Sequence, residues 1–190
     1  MAYTFSTPLP MGFVAPDFEL TEVVSGETMT LNELKSDLAT VILFICNHCP
    51  YVRHINSGIA KLAKEYQSKG VVFIAISAND ADVFPDDGPE FLKQQALNNG
   101  FNFPYLYDST QQVAKAYKAA CTPDFYLFDG QLALQYHGRM DAASHKNNEI
   151  NDGKDIRNAL EKVIKGQPIV EPQTPGSGCN IKWKAGVSPF

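Results

Sequence analysis

The chain has 190 residues, of which 44% are hydrophobic and 19% charged, a size and composition typical of one globular domain with its own core. Its net charge of −5, from 16 basic and 21 acidic residues, argues against a nucleic-acid-binding surface and against a polybasic membrane patch. Residues 1–10 lack the basic start and apolar run of a secretory signal, and no apolar stretch approaches the roughly 18 residues of a membrane span. We therefore expect a cytoplasmic protein, although a removed signal peptide would leave no trace here.

The first predicted elements are two short strands, residues 15–20 and 27–31, joined by a turn at Ser25-Gly26. We expect this hairpin at the edge of the main sheet. Residues 40–45 form a continuous apolar, largely β-branched run, which is typical of a strand buried on both faces.

A helix follows over residues 50–69, where apolar residues recur at helical spacing, Pro50 suits the first turn and Gly70 provides a stop. Residues 71–77 predict a second buried strand. Strand, helix and strand then form a right-handed crossover unit.

The rest of the chain alternates between loops and short elements. Residues 79–89 form an acidic, turn-rich segment that we expect to be mostly a solvated loop, and residues 141–152 form another polar loop. The predicted elements are a helix over 90–99, a strand over 103–106, a helix over 109–119, a β-hairpin of residues 125–128 and 132–137, and a last helix over 155–165. Beyond residue 166, prolines and glycines predict an irregular tail.

Four cysteines occur, at positions 46, 49, 121 and 179, too few for a disulfide-stapled secreted scaffold of this length. Cys46-Asn47-His48-Cys49 lies where the strand over 40–45 ends and the helix begins. Two thiols at this spacing can close into one disulfide ring, and the helix N-terminus favours the thiolate of the first. We therefore predict a thiol–disulfide redox centre with Cys46 as nucleophile and Cys49 as resolving thiol.

The order of elements, with this C-x-x-C segment and a Thr122-Pro123 step before the second hairpin, resembles the thioredoxin superfamily. It is most similar to the redoxin branch, which includes alkyl hydroperoxide reductase-like and TlpA- or ResA-like proteins. The resemblance covers about residues 12–165, and the tail GCNIKWK resembles that of a bacterial thioredoxin-like family. It implies an α/β thioredoxin-like domain over residues 1–165, with a central mixed sheet flanked by helices, and an irregular tail over 166–190 packed on it.

The resemblance also implies site residues. Thr122-Pro123 is expected to be a cis bond that lies against the redox centre and presents a substrate-binding edge; an ordinary trans loop proline is the alternative. His48 matches the histidine of oxidising and isomerising relatives, where a donor stabilises the thiolate and makes the disulfide more oxidising than the about −270 mV of thioredoxin. Asn47 is the other tuning residue. A solvent-facing His48 without a partner is the alternative.

The sequence also departs from thioredoxin. Ile45 replaces the usual tryptophan, and Thr40 stands where thioredoxin has a buried aspartate, so the acid–base helper remains open between Glu19, Asp17 and water. Because the residues before Cys46 do not supply the proline and threonine of the P-x-x-x-T-x-x-C pattern of peroxiredoxins, direct peroxide reduction is disfavoured.

The remaining cysteines allow two interpretations. Cys121 adjoins the predicted cis-proline loop, and a tail docked there could bring Cys179 beside it as an auxiliary pair; two separate reduced thiols are the alternative. A zinc site built from all four cysteines would normally show a second close pair, so neither a metal nor another cofactor is expected. Trp183 is expected to anchor the tail by packing, or else to bind a partner.

The sequence is consistent with three functions. The first is a thiol–disulfide oxidoreductase that acts on a disulfide substrate and uses a reductant such as thioredoxin or the glutathione system. The second is a thiol peroxidase in which peroxide oxidises Cys46 to a sulfenic acid and Cys49 resolves it. The third is a non-catalytic redox-sensing module whose Cys46–Cys49 disulfide switches docking of the tail.

Overall fold

The protein is described here as a computed structural model that covers residues 2–187; residues 1 and 188–190, the last three of the predicted tail, lie outside the described residues. The strands are β1 (Tyr3–Phe5), β2 (Glu19–Glu22), β3 (Thr28–Thr30), β4 (Ala39–Phe44), β5 (Val71–Ser77), β6 (Tyr105–Tyr107), β7 (Cys121–Thr122), β8 (Asp124–Asp129), β9 (Leu134–Gly138) and β10 (Ser177–Asn180). The helices are α1 (Leu31–Leu34), α2 (Pro50–Gln67), α3 (Pro89–Asn99), α4 (Gln112–Ala116) and α5 (Lys154–Ile164), with a single 3-10 turn at Pro85–Asp87.

Seven strands form one mixed sheet in the order β3-β2-β6-β5-β4-β8-β9. β5 runs parallel to β4 and to β6, and the other neighbours are antiparallel. The predicted edge hairpin is confirmed as β2 and β3. Helices cover both faces, which gives the mixed α/β architecture that the sequence predicted.

The β4-α2-β5 crossover places the C-x-x-C segment. Every residue of β4 is buried, and it pairs with β5 from Ala39 opposite Val71 to Phe44 opposite Ile76. Because side chains alternate along a strand, Val41 and Leu43 face one core while Ile42 and Phe44 face the other. The first core also contains the buried faces of α2, α3 and α5. Pro50 starts α2 immediately after the C-x-x-C segment.

The tail is mostly irregular, as expected, but it also contains a strand that the sequence did not predict. β10 lies between β1 and β7 in a second, three-stranded antiparallel sheet. The prolines of the described tail, at positions 168, 172 and 175, all precede β10, so each residue of β10 can donate a backbone N–H. No helix in residues 2–187 is both long enough and apolar enough to cross a membrane.

Candidate active site

The two cysteines of the C-x-x-C segment lie together against the loop that holds Pro123. Both are fully buried, and each thiol shifts the pKa of the other. The Sγ of Cys46 lies 3.4 Å from Thr122 Oγ1, and the Cys49 thiol donates to the Thr122 carbonyl oxygen at 3.3 Å. The Thr122-Pro123 peptide bond is cis, as the resemblance implied. The structure therefore brings Cys46, Cys49, Thr122 and Pro123 into one site.

The two thiols differ in acidity because their surroundings differ. Burial raises the pKa of Cys46, and Cys49 and the nearby Asp87 carboxylate raise it further. The hydrogen bond from Cys46 lowers the pKa of Cys49 to about 5, with a contribution from the Val52 backbone N–H. Cys49 is the N-cap of α2, where the helix N-terminus stabilises negative charge. The lower pKa is therefore that of Cys49, which in its protonated form donates to the Thr122 carbonyl, whereas the sequence predicted the thiolate on Cys46.

Asp87 is a residue of the candidate site that the sequence interpretation missed. It is completely buried, so the prediction that residues 79–89 form a solvated loop is wrong at this position. Its Oδ1 accepts the backbone N–H groups of Asn47 at 2.8 Å and His48 at 2.9 Å, and its Oδ2 accepts Asn79 Nδ2 at 2.8 Å. Burial by itself would raise the pKa of Asp87, but the hydrogen bonds from His48 and Asn79 outweigh it and lower the pKa. Asp87 therefore fixes a negative charge beside Cys46.

His48 and Asn47 both contact the segment that carries Asp87. The Nδ1 of His48 pairs with Asp87 Oδ2, and the imidazole stacks on Phe84 with ring centroids 5.4 Å apart. The Asn47 side-chain amide donates to the Asp86 carbonyl at 2.9 Å. His48 is thus partly buried and paired, which contradicts the alternative of a solvent-facing residue without a partner.

The carboxylates that the sequence offered as helpers lie elsewhere. Asp17 accepts its neighbour's backbone N–H at 2.9 Å, and Glu19 is exposed on β2 opposite Thr30. Thr40, in the position of the thioredoxin aspartate, accepts the Ser36 N–H at 3.0 Å and is a structural residue of β4. The carboxylate beside the centre is therefore Asp87, which comes from the acidic segment over residues 79–89 rather than from the predicted strand over 15–20.

Cys121 and Cys179 lie on opposite faces of neighbouring strands, which favours the second interpretation, two separate thiols, over an auxiliary pair. Cys179 is opposite Thr122, and Cys121 is opposite Asn180. Directly opposed residues share a face and consecutive residues alternate, so the two sulfurs point apart. Cys121 Sγ lies 3.9 Å from Ser6 Oγ, whereas the Cys179 side chain hydrogen-bonds Cys49. All four cysteines are thiols in this structure.

One group of metal-ligating types occurs among the described residues. Cys46, His48 and Asp87 each offer an atom within 4.8 Å of the other two. A thiol, an imidazole and a carboxylate are ligands that zinc accepts. Here the imidazole and the carboxylate are already paired with each other, and the Asp87 oxygens also accept three N–H groups.

A pocket of about 440 Å³ opens beside Pro123. The loop over residues 141–152, which the sequence described simply as polar, forms one wall, and Tyr51 at the start of α2 forms another. The Lys146 Nζ lies 5.3 Å from the centroid of the Tyr51 ring, and the His145 ring meets the same tyrosine edge-on at 4.3 Å. The pocket therefore joins aromatic surface and positive charge to the edge of the redox centre.

Two residues of α2 and the tail tryptophan lie near or outside the edge of this site. Arg53 donates Nε to the Asn47 carbonyl at 2.7 Å and so supports the C-x-x-C backbone, while His54 is exposed on α2. Trp183 is partly buried and packs against the second core, as expected for a residue that anchors the tail.

Comparison with known proteins extends these observations. The model of the AhpC/TSA family matches residues 11–137, a region that contains the C-x-x-C segment, Asp87 and Pro123 but not Cys179. The thiol-disulfide oxidoreductase ResA of Halalkalibacterium halodurans is 28% identical over 133 residues, which cover 68% of this chain and 67% of that protein.

Solved structures are also similar. An uncharacterized conserved protein from Geobacillus kaustophilus shares 49% identity with a TM-score of 0.96, over 98% of this chain and 99% of that chain. The thioredoxin domain of a thiol-disulfide oxidoreductase from Bacteroides vulgatus is 16% identical with a TM-score of 0.60, over 80% of this chain and 99% of that chain. This last likeness shows that the fold is thioredoxin-like.

Proposed function

Because the chain belongs to the AhpC/TSA family, we propose that it is a thiol–disulfide oxidoreductase whose redox centre is the Cys46–Cys49 pair. The observation that carries this proposal is that both sulfurs lie against Thr122 at the end of β4, within 3.4 Å of its hydroxyl and 3.3 Å of its carbonyl oxygen respectively. Two thiols in contact can close into a disulfide by exchange with a substrate. The relative named as a thiol-disulfide oxidoreductase supports the same chemistry.

The first step is attack of the Cys46 sulfur on a substrate disulfide. The Cys46 proton passes to the Cys49 thiolate, which already accepts a hydrogen bond from it. A sulfur–sulfur bond forms between Cys46 and the substrate, and the other substrate sulfur leaves as a thiolate. Cys49 is therefore the base of this first step, and the Asp87 carboxylate keeps the proton on Cys46 until the substrate arrives.

The second step is resolution by Cys49. Its position at the N-cap of α2 returns it to the thiolate by loss of the proton to water, and it attacks the Cys46 sulfur. The Cys46–Cys49 disulfide forms and the second substrate sulfur leaves, so the substrate gains two electrons. A thiol reductant, with thioredoxin and the glutathione system as the expected candidates, restores the dithiol by the reverse exchange.

The pocket beside Pro123 is where we place the substrate. Both thiols are buried, so a disulfide must reach them through a surface next to the cis-proline loop. The pocket is lined by Tyr51 and Lys146, which suit a peptide segment with an apolar or acidic side chain next to its disulfide.

The peroxidase alternative is weaker. Peroxide would oxidise Cys46 to a sulfenic acid, but the residues before Cys46 do not supply the proline and threonine of the P-x-x-x-T-x-x-C pattern of peroxiredoxins. The redox-sensing alternative differs from both enzymes because it predicts no turnover with any reductant and a change in Trp183 fluorescence when the centre is oxidised.

The test is reduction of insulin disulfides by dithiothreitol, measured with the wild type and with Cys46→Ser, Cys49→Ser and Cys121→Ala. We expect both active-site variants to fall to the uncatalysed rate and Cys49→Ser to accumulate a mixed disulfide on Cys46. Cys121→Ala is the matched control, because that sulfur faces Ser6 away from the centre. Wild-type activity that survives loss of Cys46 would overturn the proposal, as would hydroperoxide consumption that is fast while insulin reduction is absent.

A further inference from the structure

Cys49 contacts two thiols rather than one. It is hydrogen-bonded to Cys46 within the C-x-x-C segment and to Cys179 on β10, and all three lie in the same core. The tail thus brings a third sulfur to the redox centre. The two-cysteine cycle described above does not use this sulfur.

Two features of the fold keep β10 close to the cis-proline loop. Cys179 is in register with Thr122, whose carbonyl oxygen is the acceptor for the Cys49 thiol. A Cβ on Gly178 would lie 2.1 Å from that same oxygen and 3.2 Å from Pro123 Cδ. Only glycine therefore allows the tail to approach the cis-proline loop so closely.

The chain beyond Cys179 is also fixed to the body of the protein. The Ile181 N–H donates to the Ala120 carbonyl at 3.0 Å, and the Lys182 N–H donates to Asn79 Oδ1 at 2.8 Å. The Lys182 carbonyl accepts Gln111 Nε2 at 2.8 Å. Because Asn79 also donates to Asp87, the tail and the residues around the C-x-x-C segment form one hydrogen-bonded unit.

We propose that Cys179 is a third redox thiol that attacks the Cys49 sulfur of the Cys46–Cys49 disulfide. A bond forms between Cys179 and Cys49, the Cys46–Cys49 bond breaks, and the proton of Cys179 ends on Cys46. One disulfide and one thiol are present before and after, so the exchange needs no external oxidant. This inference rests on the proposed function, because it begins from the Cys46–Cys49 disulfide.

The electrostatics place this exchange after oxidation of the centre. Burial raises the pKa of Cys179, and the hydrogen bond and charge of Cys49 raise it further, to about 12. When Cys49 enters a disulfide, its charge is removed and only burial remains to oppose ionisation, while the Lys182 ammonium favours the Cys179 thiolate. Cys179 is therefore a poor nucleophile beside the reduced centre and a better one beside the oxidised centre.

The product differs in two ways from an oxidised two-cysteine centre. Cys46 is a thiol again and can attack a second disulfide or be alkylated. The tail strand is covalently joined to the N-terminus of α2, so oxidation fixes β10 in place. The function of the third thiol would be to store the disulfide away from the attacking sulfur.

The test is a time course of disulfide mapping on the full chain. Reduced protein is oxidised with one equivalent of diamide, quenched in acid, alkylated and digested without reduction. In the wild type, we expect the Cys46–Cys49 linkage to form first and then to decline as Cys49–Cys179 rises, with Cys46 alkylated in proportion. Cys121→Ala should follow the wild type.

Two variants separate this inference from the proposed function. Cys179→Ala should stop at Cys46–Cys49, and Cys46→Ser, which keeps the tail intact, should form only Cys49–Cys179. The Cys49–Cys179 linkage could be missing from both the wild type and Cys46→Ser while Cys46–Cys49 still forms normally in the wild type. That result would overturn the proposal that Cys179 is a redox thiol and would leave the proposed function standing. A wild type that forms no Cys46–Cys49 linkage overturns both.

Discussion

Substitution of Gly178 by alanine tests whether the tail strand approaches the active site as described. The new Cβ would lie 2.1 Å from the Thr122 carbonyl oxygen and 2.9 Å from its carbon, and both are backbone atoms that cannot rotate away. Restoring an ordinary C···O contact of about 3.3 Å requires β10 to move by about 1 Å. Such a shift stretches neighbouring hydrogen bonds, including the 3.0 Å bond from Ile181, beyond bonding distance.

The cost follows from these two effects. Overpacking a filled site costs about 1–3 kcal/mol, and each lost hydrogen bond about 0.5–1.5 kcal/mol, so we expect Gly178→Ala to lower the free energy of unfolding by about 2–4 kcal/mol. For a domain of this size that corresponds to a fall in Tm of roughly 5–15 °C. Urea unfolding followed by circular dichroism measures the first quantity, and calorimetry measures the second.

Gly100→Ala is the matched comparison. Gly100 ends α3 with φ of 66°, and a Cβ there would meet nothing within 4 Å, so its cost is the left-handed backbone alone, about 1 kcal/mol. Equal losses in the two variants would refute the close contact between β10 and Thr122.

Three further predictions concern the thiols and the core. Asp87→Asn should lower the pKa of Cys46, so the pH midpoint of its alkylation by iodoacetamide should fall; an unchanged midpoint, or the same shift in Asp86→Asn, would contradict the role of the Asp87 charge. The ultraviolet absorbance of the thiolate should titrate near pH 5, with the anion present above that pH, and should disappear in Cys49→Ser; a midpoint near that of an ordinary thiol would contradict the hydrogen bonds to Cys49. Leu62→Ala, in the buried face of α2, should cost about 2–5 kcal/mol in urea unfolding, whereas the exposed Leu97→Ala should cost less than about 0.5 kcal/mol; comparable losses would contradict the orientation of the two helices.

The crossover unit was predictable because its signals are local. The run over residues 40–45 and the spacing of apolar residues after Pro50 depend only on neighbours along the chain, and β4, α2 and β5 begin and end within two residues of the predicted bounds. The cis bond at Thr122-Pro123 followed from resemblance to a family.

The parts that the sequence missed depend on contacts between distant segments. β10 is polar and glycine-rich, and it becomes a strand only because β1 and β7, more than 50 residues away in the chain, supply its partners. In the sequence, Asp87 cannot be distinguished from the other acidic residues of its loop. Only the folded structure shows that the backbone N–H groups of the C-x-x-C segment donate to it. The sequence signal nearest to Asp87 is the pair of turn-forming residues Pro85 and Gly88, which bracket it and lie at the start and the C-cap of the 3-10 turn seen in the structure.

The groups around the C-x-x-C segment shift the pKa values of its two thiols in opposite directions. These shifts determine whether the surroundings stabilise the reduced or the oxidised form of the pair. Hydrogen bonds from Cys46 and from Val52 stabilise the Cys49 thiolate, and that stabilisation exists only while Cys49 is reduced. A centre whose reduced form is stabilised in this way has a higher, more oxidising potential. Asp87 acts on the other sulfur: it disfavours a thiolate on Cys46 and so keeps the negative charge on Cys49. In the proposed cycle, the reduced centre therefore holds one proton on Cys46 and one negative charge on Cys49, and attack on a substrate disulfide would require that proton to pass from Cys46 to Cys49.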